Sequence, residues 1–186
     1  MVWDLATVLP KDRPALTPPT VKEMDDLWAE LAEKEFSKAR PAMAKIVAGG
    51  NQSAKYLSER LAPKDPGKLG KWIDRLIQEL DHEDVAVRDK ATTTLADLRL
   101  FSRFALRQTL EKPPTVEVRL RAEHILKNNK KQTMSSESLR TLRGITVLET
   151  IGGKDAGQVL EILAKDLHLE EAQAALDRLA ARSAKP

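Results

Sequence analysis

A chain of 186 residues without a single cysteine cannot draw on disulfides, thiolate metal sites or a cysteine nucleophile. Aromatic residues make up only 4% of it, so its core must be built from Leu, Ala, Ile and Val, which suits closely packed helices and argues against a β-sandwich. The net charge of +3 is unevenly placed: residues 82–131 hold 11 basic and 7 acidic side chains, whereas residues 1–81 hold 13 of each and residues 132–186 hold 7 and 8. The lack of cysteine fits a reducing cytoplasm, the expected compartment. Asp4, Pro10, Lys11, Asp12 and Pro14 interrupt the first 16 residues, so no signal peptide is expected. No apolar run approaches the roughly 20 residues needed to span a bilayer.

Residues 1–19 carry Pro10, Pro14, Pro18 and Pro19 and read as an extended, proline-rich lead-in. A capping box at Thr20-Val-Lys-Glu23 opens the first helix, in which Met24, Leu27, Trp28 and Leu31 form one apolar stripe. A second helix is expected over about Phe36 to Ala48, ending at Gly49-Gly50, with Pro41 either in an early turn or splitting the segment. A third covers about Gln52 to Leu61 before Pro63 and Pro66. A fourth, about Lys68 to Leu80, aligns Leu69, Trp72, Ile73, Leu76, Ile77 and Leu80, which places Trp72, like Trp28, on a core stripe. Two further helices flank a shorter amphipathic piece, Phe101 to Leu110, that stops at Pro113-Pro114. After a loop around residues 133–136, a helix carries Leu139, Leu142, Ile145, Leu148 and Ile151 to Gly152-Gly153. Helices of about Gln158 to Asp166 and Glu170 to Ala181 complete the chain. The reading is all-α, with about ten helices.

One pattern recurs within it. Val85, Arg88, Ala91 and Leu95 stand at the same offsets as Val116, Arg119, Ala122 and Leu126, 31 residues on, with the turn residues Asp84 and Thr115 in register. Self-similarity at this period is the mark of stacked helical hairpins, a HEAT- or armadillo-like α-solenoid in which each unit buries its stripe against its neighbours. In such a stack Ala91 and Ala122 let adjacent backbones approach, and Arg88 and Arg119, at the stripe's edge, reach carboxylates or helix-end carbonyls of the next unit. These four residues are therefore read as structural contacts between repeats.

The string Val-x-x-Arg-x-x-Ala-x-x-x-Leu resembles the second helix of a HEAT-type repeat. Over residues 26–180 the chain is similar to the C-terminal helical region of large bacterial WD-repeat proteins. The likeness is carried by Asp26-Leu-Trp28-Ala-Glu-Leu31, Tyr56-Leu-Ser-Glu-Arg-Leu61, Val87-Arg88-Asp89-Lys90-Ala91, Glu117-Val-Arg119, Leu139-Arg-x-Leu-Arg143, Val147-Leu-Glu149 and Ala172-x-x-Ala175-Leu-x-x-Leu179. Val2-Trp3-Asp4-Leu5 looks like the Trp-Asp dipeptide that closes a strand of a propeller blade. The resemblance implies a helical repeat domain over residues 20–184, with residues 1–19 the remnant of a last blade. It also implies a protein partner, or the protein's own propeller, and no catalytic residues.

A search for chemistry leaves little. His82, His124 and His168 are dispersed without ligand spacing, so neither a metal nor a cofactor is expected. The acidic groups Glu23/Asp25/Asp26, Asp81/Glu83/Asp84 and Glu170/Glu171 sit at expected helix N-termini, where they complement the macrodipole. The expected function is a non-enzymatic protein–protein interaction or scaffold module. The competing reading is nucleic-acid binding, including a DNA-glycosylase-like version, through a basic stripe of Arg99, Arg103, Arg107, Arg121, Lys127, Lys130 and Lys131. That stripe requires residues 98–110 to be one continuous helix, and Asp89, Asp97, Glu111, Glu117 and Glu123 are interleaved with it.

Overall fold

Thr20 and Glu23 cap each other as the sequence predicts. The Thr20 hydroxyl accepts the Glu23 N–H at 3.3 Å, and the Glu23 carboxylate accepts the Thr20 N–H at 2.8 Å. They start the first of ten helices seen in a computed structural model that describes residues 17–61, 65–131 and 134–184. These are α1 (Val21–Glu30), α2 (Phe36–Ala48), α3 (Gly50–Leu61), α4 (Pro66–Glu79), α5 (Val85–Leu98), α6 (Leu100–Glu111), α7 (Val116–Lys131), α8 (Ser136–Ile151), α9 (Gly153–Lys165) and α10 (Glu170–Ser183). No strand occurs among the described residues, which form ten helices, and the expected all-α architecture holds over them. The Trp3-Asp4 dipeptide lies outside the described residues, as do the side chains of Lys130 and Lys131. Among the described residues no helix is long and apolar enough to cross a membrane.

Two glycine pairs act as hinges rather than plain terminators. Gly50 has φ +52°, and Gly152 and Gly153 have φ +63° and +74°, left-handed values open to glycine at no steric cost. The next helix therefore begins on the pair itself, so α9 starts five residues before the periodicity suggested. Pro41 does not split its segment: α2 runs continuously through it.

The helices form two compact units. The first comprises α1–α3 and α8–α10; the second comprises α4–α7 with the segment Asp166–Leu169. In the first, α1 lies on α2, and α2 and α3 both lie on α8; α9 and α10 pack on α8 and on each other, and α9 also meets α3. The stack thus joins helices from both ends of the chain around α8. Its core is Met24, Leu31, Met43, Ile46, Leu57, Leu148, Leu160 and Leu163. Gly144 lets α8 and α3 close up, since a Cβ there would come within 2.8 Å of the Leu61 Cδ1.

Two buried charges complete this core. Arg143 of α8, 3% exposed, donates to the Leu31 carbonyl at 2.6 Å and to the Glu33 carbonyl, capping the end of α1 from more than a hundred residues away. Glu149, also on α8, accepts two bonds from Arg178 at 2.8 and 2.6 Å and a third from Arg182 at 3.0 Å. The Arg178 guanidinium is held more firmly protonated by Glu149.

In the second unit, α4/α5 and α6/α7 are adjacent hairpins, with α5 also on α7 and α4 also on α6. One core serves all four helices: Ile73, Leu76, Leu80, Ala91, Leu95, Leu106, Val118, Ala122 and Ile125. The 31-residue equivalents meet within it. Ala91 and Ala122 are both 0% exposed, Leu95 and Leu126 both pack into it, and Val85 and Val116 both stand exposed at the start of their helices. The apolar stripe of α4 is wider than this core can cover. From Ile77 to Trp72 it subtends about 140° at the helical repeat, beyond the roughly 100° of an ordinary amphipathic face. Its edges spill out, and Trp72 is 45% exposed rather than core, in contrast to Trp28 at 8%.

Replacing Arg143 by Ala opens two carbonyls and should lower the unfolding free energy by about 3 kcal/mol, given the usual strength of hydrogen bonds from charged donors. Urea denaturation measures it, and an unchanged midpoint would refute the capping role. Glu23 offers a pH signature. Lys45 of α2, bonded to it at 2.7 Å, together with Thr20, pulls its pKa from 4.5 down to about 2. Because the folded value is the lower one, its stabilisation is complete above pH 4.5 and is lost as pH falls toward 2. Glu23→Gln should be less stable than the parent at pH 6, with the difference closing at pH about 2.

Candidate functional site

The spare apolar surface of α4 lines two different depressions. On one flank Leu69, Ile73 and Ile77 face Phe101, Phe104 and Ala105 of α6 across a cavity of about 510 Å³, closed at one end by Asp166, Leu167 and His168. On the other flank Trp72 and Leu76 meet Val87 of α5, beside Arg75, Glu79, Lys90 and Thr94. A third depression, between α5 and α7, carries Asp89, Thr92, Thr93, Glu117, Leu120, Arg121 and His124.

The α4/α6 groove is built by local rules. Asp65 caps α4, its carboxylate accepting the Lys68 N–H at 3.1 Å, with Pro66 in the first turn. The start of α6 is set by Arg99, a single residue at φ +43° between α5 and α6. Ser102, fully buried, donates to the Leu95 carbonyl at 2.7 Å and so satisfies the end of α5 across the break. This turns Phe101 and Phe104 toward α4. His168 adopts φ +52°, a left-handed value uncommon outside glycine, and its ring stacks on Phe104 with centroids 4.6 Å apart and planes at 17°. The walls are aliphatic and aromatic. Polar atoms come from Asp74, Gln78, Gln108, Thr109, Asp166 and His168, of which the Thr109 hydroxyl is spent on the Ala105 carbonyl at 2.9 Å.

The α5/α7 junction is a closed electrostatic joint. Arg121 donates to Glu117 at 2.6 Å, to Asp89 at 2.9 Å and to the Thr92 hydroxyl at 2.9 Å, and Glu117 and Asp89 hold it more firmly protonated. Arg88 donates to the His82 and Glu83 carbonyls at 2.6 and 3.0 Å and lies 3.5 Å from Glu117 of the next hairpin. Arg119 points to solvent. Across the two repeat helices, then, Arg88 reaches Glu117 as the register suggests, while from α7 it is Arg121, two positions beyond Arg119, that bonds back to α5.

Arg99, Arg103 and Arg107 of the expected basic stripe do not lie on one continuous helix. Helix continuity from 98 to 110 is broken at Arg99, which sits in the joint, while Arg103 and Arg107 lie on α6. Arg99, Arg103 and Arg107 all have interaction partners of their own. Arg121 is committed to carboxylates, and Lys127 is exposed on α7. The histidines are dispersed. The His82 Nδ1 accepts the Asp84 N–H at 3.0 Å, His124 meets Asn128 at 2.8 Å, and His168 stacks on Phe104. Among the described residues no group of three or more His, Asp or Glu is placed to hold a metal ion.

The α4/α6 groove went unread in the sequence because Asp166–His168 lies nearly sixty residues from α6. The one available signal was the excess width of the α4 stripe. Comparisons with protein-family models, with curated proteins and with solved structures find no match to this chain.

The two tryptophans give a direct check of this geometry. Trp28→Ala should lose about 3–5 kcal/mol, the usual cost of emptying a core aromatic site, and Trp72→Ala less than half of that. Thermal unfolding of both variants decides it, and equal losses would put Trp72 back in the core.

Proposed function

We propose that this chain is a non-enzymatic interaction module whose α4/α6 groove receives a segment of another polypeptide. The observation that carries the reading is the groove itself. It is an apolar trough of about 510 Å³, within the size range of specific binding sites, with a few polar groups on its rim. No nucleophile in it is paired with a base: the Thr109 hydroxyl is directed at a backbone carbonyl, and the His168 ring lies flat on Phe104. The partner is a separate polypeptide or, following the WD-repeat resemblance, a propeller carried by the same protein in the cytoplasm. Nucleic-acid binding has less support, because Arg121 is neutralised by Glu117 and Asp89 and Arg88 is turned into backbone carbonyls.

A photo-crosslinking side chain in place of Gln108, on the groove, should give a discrete polypeptide adduct in cells. One in place of Lys154, an exposed site on α9, should not. Labelled duplex DNA and single-stranded RNA should show no saturation below about 1 µM at low salt. Submicromolar affinity with a steep salt slope, or no adduct from position 108, would overturn the reading.

A further inference from the structure

Resting on that reading of the groove, we infer that its occupant is a cationic amphipathic segment: aliphatic or aromatic anchors flanked by lysine or arginine. The inference comes from comparing three grooves formed by the described residues of the second unit. In the α5/α7 groove, Asp89 and Glu117 are both bound by Arg121. In the α4/α5 groove, Glu79 is bound by Arg75 at 3.0 Å, and Lys90 lies alongside. The α4/α6 groove differs. Its lining includes Asp74 on α4 and Asp166 on the closing segment, both exposed, and no lysine or arginine. Neither carboxylate is engaged by a cation or a hydrogen bond among the described residues.

Two uncompensated anions sit on the rim of an apolar trough, one of whose walls, α6, belongs to the segment that carries the chain's basic excess. A partner's cations would find their counter-charges here. Their attraction is strengthened by the low-dielectric walls of Ile73, Ile77, Phe101 and Phe104, while the partner's apolar side chains fill the floor. The exposed amides of Gln78 and Gln108 can meet backbone groups of the incoming segment. An anionic segment, or a nucleic acid, would meet repulsion from both rims.

The test uses the full chain and two short synthetic helical peptides with identical Leu and Phe anchors, one with Lys/Arg and one with Glu at its polar positions, followed by fluorescence anisotropy. The basic peptide should bind about tenfold more tightly at low salt, with the advantage fading as salt rises. Asp74→Lys combined with Asp166→Lys, both exposed and structurally uncommitted, should abolish or invert the preference. Ala105→Trp, which fills the trough, should remove binding of the basic peptide without changing helix content. Equal affinities, a preference untouched by the charge reversal, or no binding of the basic peptide would overturn the inference. If the acidic peptide binds and Ala105→Trp blocks it, the groove remains a docking site and the charge assignment alone falls. If Ala105→Trp blocks neither peptide, the groove itself is not the docking element.

Discussion

Everything in the second unit rests on two alanines. Ala91 and Ala122 have no exposed surface and sit in one core shared by four helices. A methyl group at each position lets α5 and α7 approach closely enough for Leu95, Val118 and Ile125 to interlock between them. The same approach brings Asp89 and Thr92 within reach of Arg121. The electrostatic joint is thus a consequence of the packing, and its exposed carboxylates mean that it adds little stability of its own. Its effect is to neutralise that face.

The first unit follows a different scheme. Its central helix, α8, carries Arg143 and Glu149, charges that burial makes costly unless every hydrogen bond is made. One Nη of Arg143 is taken up by the carbonyls that end α1, though its Nε stays buried without a partner among the described residues, and Glu149 is met by two arginines of α10. These contacts tie the beginning and the end of the chain to one helix. They also fix its rotation, because a turn of α8 about its axis would strand both charges. Apolar packing alone would tolerate such a slip far more readily.

Burial is incomplete along one flank of α4. The α4 stripe is too broad for its core, so Leu69 and Ile77 remain available beside two phenylalanines, and a closing segment adds a stacked histidine and a carboxylate. The charge pattern gives the same groove a polarity: its rim carboxylates lack the cations that neutralise those of its neighbours.

Much of this architecture was legible in the residues. Thr20 and Glu23 announce α1, the apolar periods of residues 36–48 and 170–181 mark α2 and α10 to within a few positions, and the 31-residue register pairs Ala91 with Ala122. Each of these depends on neighbours within a turn or two, or on a repeated unit, so local pattern suffices. Other features depended on distance. Arg121 rather than Arg119 bonds between the repeat helices because the rotation of α7 against α5 decides which guanidinium meets Asp89. Trp72 shares its spacing with core residues yet faces out, since periodicity specifies a face and says nothing of how much of it another helix will cover. Arg99 breaks a helix that its flanking residues would continue, and the break holds because buried Ser102 satisfies the Leu95 carbonyl. The groove, finally, needs α4, α6 and residues 166–168 at once. Local sequence determined the helices and their repeat; only the tertiary arrangement decided which of their apolar edges and charges were left unmatched, because that depends on contacts between segments with no common local pattern.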